Sequence, residues 1–248
     1  MWSNPLAQFK QQLELGQTVQ EIQVDLIKAE AFDPKNENNP FAKKIPEVAV
    51  VYHNLDKQMT YTVTVNEDRI RTAFVSWDAL RSFNDAIVTQ LFNSYYYDDY
   101  LCIREVLHNA CLEKKGLMVP TPLVTDEASG KAFLGNVKLY AEKMGFMSDK
   151  YNAMHWNTFS QKNQLVLFVT PDTKNVLDVQ VLAYVFQAAM ANIDMAVITV
   201  DELPYGVSGI LADTEFLKIY SYLERMTSQY NPKDLSINYF LNVRNIYS

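Results

Sequence analysis

Residues 20–32 alternate, with Ile22, Val24 and Leu26 set against Gln23 and Asp25, which is the two-residue period of a half-buried strand. Residues 33–46 are rich in proline, asparagine and charge and read as a loop. Strand character resumes at residues 48–52 and again at 59–65. In the second of these, Met59, Tyr61, Val63 and Val65 occupy one face and Thr60, Thr62 and Thr64 the other. The spacing predicts a long antiparallel ribbon over residues 20–65, with a polar tip that projects into solvent or onto a neighbour.

The period then changes. From Trp77 to Lys115 no glycine or proline interrupts the chain, and Leu80, Phe83, Ile87, Leu91 and Tyr95 recur at helical steps. Cys102, Val106 and Ala110 continue the stripe beyond a polar step at Asp98 and Asp99, where a bend is expected. Ser76 is placed to cap the helix, Asp78 sits near the positive end of its dipole, and Gly116 ends it. A continuous helix over residues 77–115 is about 58 Å long. A domain of this size is only about 35 Å across. Elements that outreach their own domain find burial on neighbouring subunits, so the pattern points to a structural protein that tiles.

Beyond a connector at residues 120–126, helical spacing returns through Phe133, Val137, Tyr140 and Met144. Residues 164–170 form a short apolar strand stopped by Pro171, Leu177, Val181, Tyr184 and Ala188 mark another helix, and residues 195–200 a second buried strand. This strand–helix–strand unit reads as a separate subdomain, residues 151–211. Strands at 210–212, 216–227 and 236–247 close the chain, the last two joined by a turn at Asn231, Pro232, Lys233 and Asp234.

The formal charge of −7 argues against a surface built to neutralise phosphate, so contact with nucleic acid is expected to be local and weak. Tyrosine is abundant, 15 residues, and suits surfaces that are buried yet wet at one edge. Cys102 and Cys111 fall on opposite helix faces and cannot bridge each other, which favours a reducing compartment. A basic-then-apolar leader and an apolar run of membrane-spanning length are both missing, so a soluble chain is expected.

Chemical motifs are weak. His53, His108 and His155 lack metal-ligand spacing with either cysteine, and Gly206, Ser208 and Gly209 miss the spacing of a nucleophile elbow. Ser129-Gly130-Lys131 lacks the rest of a phosphate loop, and Asp33, Lys35 and Glu37 fail as a calcium loop because Lys35 offers no oxygen ligand. Neither a cofactor, a metal nor a catalytic residue is assigned. Lys43 and Lys44, close to the ribbon tip, are charges that either solubilise it or pair with acidic residues of a neighbour such as Asp98 and Asp99.

Thr72-Ala-Phe-Val-Ser-Trp77 leading into the long helix, Asn4-Pro-Leu ahead of Thr18-Val-Gln-Glu-Ile22, and Gln164-Leu-Val-Leu-Phe168 before Leu177-Asp-Val-Gln-Val-Leu-Ala183 carry a resemblance. With Tyr230-Asn-Pro-Lys233 and Asn238-Tyr-Phe240, the chain resembles the major capsid proteins of phi-29-like podophages, over nearly its whole length. The resemblance implies an α+β, HK-97-like fold. Residues 20–65 would be the extended loop, 77–115 the spine helix, 1–150 with 212–248 the peripheral domain, and 151–211 the axial domain. Family members usually carry an arm ahead of the ribbon and further chain after the closing strands, so a trimmed form, a processed form or a remnant gene product is expected here.

The implied function is non-enzymatic: a shell subunit of a tailed phage, present in the virion and assembled in the host cytoplasm, that encloses double-stranded DNA. The implied partners are copies of itself in pentamers and hexamers, together with scaffold and portal proteins. Phe32, Lys35, Phe41, Lys43 and Lys44 on the extended loop, and Asn231, Pro232, Lys233 and Asp234 at the peripheral turn, are the expected inter-subunit contacts. A nanocompartment shell of the encapsulin type is the same-fold alternative. A DNA-processing enzyme is the alternative from another class, and it needs a basic groove or a carboxylate–metal cluster.

Overall fold

The structure is a computed structural model that describes residues 1–14, 19–27, 29, 45–66, 77–113, 116–152, 154–179 and 195–248. Two sheets share one helix. The larger sheet has four strands in the order β1 (Lys10–Gln12), β8 (Ile219–Asn231), β9 (Ser236–Tyr247) and β4 (Lys57–Asn66). β8 and β9 form a long antiparallel hairpin, β4 lies antiparallel to β9 from Lys57↔Asn245 to Asn66↔Ser236, and β1 runs parallel to β8. A bulge between Ser221 and Leu223 shifts the hairpin register. The smaller sheet has the order β6 (Ala196–Thr199), β5 (Leu165–Val169), β7 (Gly209–Asp213).

Helix α1 (Trp77–Leu112) spans 36 residues, about 54 Å at its ideal rise. Its buried row is Leu91, Tyr95, Asp99, Ile103 and Leu107, a run of four-residue steps along one face. Leu91 and Tyr95 pack on Leu241 and Val243 of the larger sheet, and Ile103 and Leu107 pack on Val166 and Phe168 of the smaller one. No side chain described from Arg81 to Gln90 is buried.

β5 is buried on both faces, and its alternation divides the core. Val166 and Phe168 meet α1 and the N-terminal Leu6, while Leu165, Leu167 and Val169 meet α2 (Glu127–Met144) through Phe133, Leu134, Val137 and Ala141. Asp126 and Ser129 close a reciprocal capping box at the start of α2. The third helix, α3 (Pro171–Val179), begins with proline at its first position, where the missing N–H costs nothing, and buries Leu177.

Several expectations change. The strand around residues 59–65 does alternate as expected, with Tyr61 and Val63 against α1 and Val65 buried, but its partner is β9 and not the ribbon. The ribbon is β2 (Val19–Val24) paired with β3 (Val48–His53). Cys102, Val106 and Ala110 are only half-buried, because the stripe passes through Asp99 instead of stepping around it. The helix continues without a break through residues 94–99 and ends at Leu112. β8 begins at Ile219, beyond a turn that holds Phe216. Ser76, Lys115, Val181, Tyr184 and Ala188 lie outside the described residues.

Candidate assembly surfaces

The ribbon turns its apolar side outward. Ile22 stands opposite Val50, Val24 opposite Val48 and Gln20 opposite Tyr52, and all six are exposed, Ile22 and Val24 to 56% and 55%. The other face carries Val19, Glu21 and Gln23 against His53, Val51 and Ala49, and it is this mixed face that is half-buried or better. The alternation expected from the sequence is present with its sides exchanged. Leu26, Ile27 and Ile45, beyond the paired residues, are exposed as well. A two-stranded ribbon is marginal alone in water, so an exposed apolar face on one is a surface awaiting cover.

The ribbon root is tied to the body. His53 is buried against the Tyr220 ring, with its Nε2 3.7 Å from Glu21 Oε2, and Asn157 Nδ2 donates to Asp25 Oδ1 at 3.4 Å. Phe32, Lys35, Phe41, Lys43 and Lys44 lie outside the described residues.

Asp98 and Asp99 are both engaged within the chain, Asp98 through one oxygen and Asp99 through both. Asp98 accepts a hydrogen bond from Tyr61 OH at 2.8 Å. Asp99 is only 2% exposed and is the hub of a buried network. Its Oδ1 accepts from Tyr247 OH at 2.6 Å, Asn245 Nδ2 at 3.1 Å and Lys10 Nζ at 3.3 Å, and its Oδ2 accepts from Asn4 Nδ2 at 3.1 Å. Lys10 also donates to Tyr95 OH, which donates to Glu224 at 3.2 Å. The network pins the N-terminal segment to α1 and to the end of β9.

Burial, reinforced by the Asp99 charge, pushes the Tyr247 hydroxyl far above its ordinary range, and burial does the same at Tyr95 and Tyr61. Tyr100, buried and bonded to Asp201, is pushed up to about 12. The sequence reading missed Asn4, Lys10, Asn245 and Tyr247, since short polar words carry no period. Asp99 was legible in principle, being in step with Leu91, Tyr95, Ile103 and Leu107.

The turn at Asn231, Pro232, Lys233 and Asp234 is the tip of the β8–β9 hairpin. Pro232, Lys233 and Asp234 are exposed, Asn231 Oδ1 accepts from Lys233 N at 3.1 Å, and Asn66 Nδ2 donates to the Asp234 carbonyl at 2.9 Å. Both cysteines are free. Among the described residues no group of three or more His, Cys, Asp or Glu side chains is arranged to hold a metal, and no helix is long and apolar enough to cross a membrane.

An all-chain match decides the family: the model of Phi29-like phage major capsid proteins covers residues 1–248. The chain belongs to that family. It is 30% identical to the major capsid protein of Bacillus phage B103 over 99% of this chain and 56% of that protein, and 30% identical to that of Bacillus phage GA-1 over 100% and 54%. A shorter match, 35% identical over 44% of this chain and 30% of the relative, joins it to the major capsid protein of Streptococcus phage Cp-1. The chain spans about half the length of the curated relatives it matches.

The family fold extends to distant capsids. The capsid structure of Staphylococcus phage Andhra superposes with a TM-score of 0.78 at 13% identity, over 99% of this chain and 81% of that one. The capsid of cyanophage P-SCSP1u gives 0.64 at 10%, over 96% and 82%. Similarity at this level concerns the fold, and it makes this α+β arrangement that of phage capsid proteins.

Proposed function

We propose that this Phi29-like capsid protein is a non-enzymatic shell subunit of a tailed phage, which assembles with copies of itself into a closed head around double-stranded DNA. The observation that carries this reading is the outward apolar face of β2 and β3, which the described residues leave exposed. Copies of the chain are the proposed cover, and the family supplies the reason for choosing them over an unrelated partner. The shell is icosahedral or prolate, built from pentamers and hexamers, with scaffold and portal proteins as further partners. It forms in the host cytoplasm and resides in the virion.

In the finer reading, residues 20–65 act as the HK-97-type extended loop, α1 as the spine helix, residues 1–150 and 212–248 as the peripheral domain and 151–211 as the axial domain. The packing of α2 on the smaller sheet, whose edge strand is β7, supports an axial unit built around that sheet. Phe32, Lys35, Phe41, Lys43 and Lys44 contact the adjacent subunit, and Asn231, Pro232, Lys233 and Asp234 meet a neighbouring capsomer. The net charge of −7 suits a shell that holds its DNA weakly and without specificity.

The test is sedimentation with circular dichroism. Replacing Ile22 and Val50 with Ser, or Phe32 and Phe41 with Ser, weakens association and leaves the subunit folded. Each of Ile22 and Val50 has about half a side chain left to bury, on the order of 1 kcal/mol apiece. The pair therefore weakens one contact by roughly 30-fold. Unchanged sedimentation of both variants, with unchanged spectra, removes the ribbon from the assembly.

A further inference from the structure

We infer that the two ends of the smaller sheet form a knob and a patch that join one copy of this chain to the next, head to tail. This inference rests on the shell reading above and specifies a surface for it. The knob is Tyr205. It is fully exposed at the apex of a turn closed by Val207 N donating to the Pro204 carbonyl at 3.0 Å. Gly206 holds φ at +84°, the conformation such a turn demands at that position and one that glycine adopts without strain.

The base of the knob is braced. Leu203 is buried, Arg104 Nη1 contacts Asp201 Oδ2 at 2.7 Å, Tyr100 OH bonds the same carboxylate, and His108 Nε2 lies 3.2 Å from the Glu202 carbonyl. A rigid turn thus presents a large aromatic side chain to solvent. Tyrosine held this way is the kind of anchor that dominates protein interfaces, since little entropy is lost when it docks.

The patch lies at the opposite end of β5. Ser148 and Thr158 form an isolated antiparallel bridge with backbone hydrogen bonds of 3.0 and 3.1 Å. Met147 and Phe159 flank it as cross-strand neighbours on one face. Both are more than half exposed, with Phe146 at 73% beside them and Met154 in the same loop. Methionine and phenylalanine together make an adaptable apolar surface that receives an aromatic ring.

Position chooses a second copy as the occupant. The knob follows the C-terminal end of the sheet, where Val169 pairs with Gly209, and the patch precedes its N-terminal end, where Thr214 N bonds the Gln164 carbonyl. The length of β5, about 17 Å, separates them. Knob and patch therefore do not meet within one chain, yet rotation about a common axis brings the knob of one copy to the patch of the next, which is the head-to-tail contact that closes rings. Asp201 and Glu202 outnumber Arg104 at the knob, while Lys143, Lys150 and Lys162 are matched in number by Glu142, Asp149 and Asp25 around the patch, so no like-charge barrier opposes the contact.

A double-mutant cycle on the full 248-residue chain tests this, with association followed by sedimentation and folding by circular dichroism. Tyr205→Ala raises the concentration needed for assembly by about tenfold or more, and Met147→Ser with Phe159→Ser does the same. Because these residues touch each other across the contact, combining the changes adds no more than about threefold beyond either alone. Independent, multiplicative losses, or a Tyr205→Ala chain that assembles within about twofold of the parent, overturn the inference. If Tyr205→Ala is silent while the Ile22 and Val50 ribbon variant fails to assemble, the knob is wrong and the shell reading stands. A parent chain that stays monomeric at every concentration overturns both.

Discussion

Replacing Asp99 with Leu deletes the acceptor at the centre of the network that joins the N-terminal segment, α1 and β9. Four donors then lose it together: Asn4 Nδ2, Lys10 Nζ, Asn245 Nδ2 and Tyr247 OH. Asn245 Nδ2 retains the Tyr247 hydroxyl at 2.8 Å, and Lys10 retains Tyr95, so part of the loss is recovered. Lys10 is nevertheless left charged with its side chain only 15% exposed and its ion-pair partner gone, the Glu224 carboxylate being reached only through the Tyr95 hydroxyl. Removing one partner of a buried ion pair costs about 3–5 kcal/mol. With a urea slope of about 3 kcal/mol per molar for a chain of this length, the unfolding midpoint falls by roughly 1–1.7 M. Leucine in place of Asp99, paired with Lys10→Met, relieves the stranded charge. The double variant is thus more stable than Asp99→Leu alone, although it carries one more change. Urea titration followed by circular dichroism reads both quantities. A loss under about 1 kcal/mol for Asp99→Leu, or strict additivity with Lys10→Met, refutes the assignment of Asp99 as the hub.

Two further outcomes follow from the packing. Tyr61, Tyr95, Tyr100 and Tyr247 all have hydroxyls raised above the ordinary value of 10.0, so below that pH they are neutral in the folded and unfolded chain alike and their stability is fully present. Above it the unfolded chain ionises first and stability falls with rising pH, through about 12 in the case of Tyr100, so urea midpoints that stay level from pH 9 to 11 would contradict the burial of these rings. Gly209→Ala places a methyl 2.8 Å from Phe133 Cζ and 3.0 Å from the Phe168 carbonyl oxygen, and about 1–3 kcal/mol of destabilisation is expected from thermal or urea unfolding, whereas a neutral result shows that Phe133 can give way.

Much of this fold is written in hydrophobic period. The long helix, the strand at β5, the helix at α2 and the closing strand β9 are all legible because their apolar residues recur at 3.6 or 2.0 residues and turn residues bound them. Pairing is less so. β4 alternates as well as β2 does, and nothing in its own residues says that it belongs with β9, which is nearly two hundred residues distant. Burial sense is also hidden: Ile22 and Val24 alternate with Glu21 and Gln23 whether the apolar side faces the body or a neighbour, and only the coordinates show that it faces out.

The Asp99 network escaped for another reason. A lone carboxylate in a helix reads as a polar step, and it becomes a core residue only when Lys10, Asn4 and Asn245 arrive from both ends of the chain. The knob at Tyr205 is similarly silent, since an exposed tyrosine carries meaning only with its turn geometry and the patch at the far end of the sheet.

Electron microscopy of the purified chain, with its mass measured in solution on the same sample, tests the central claim most directly. Covering the outward face of β2 and β3 by copies of the chain predicts closed shells or rings with a mass many times that of one subunit, and these disperse when Ile22 and Val50 become Ser. A folded, monodisperse single subunit at high concentration, its ribbon face still exposed to solvent, contradicts it.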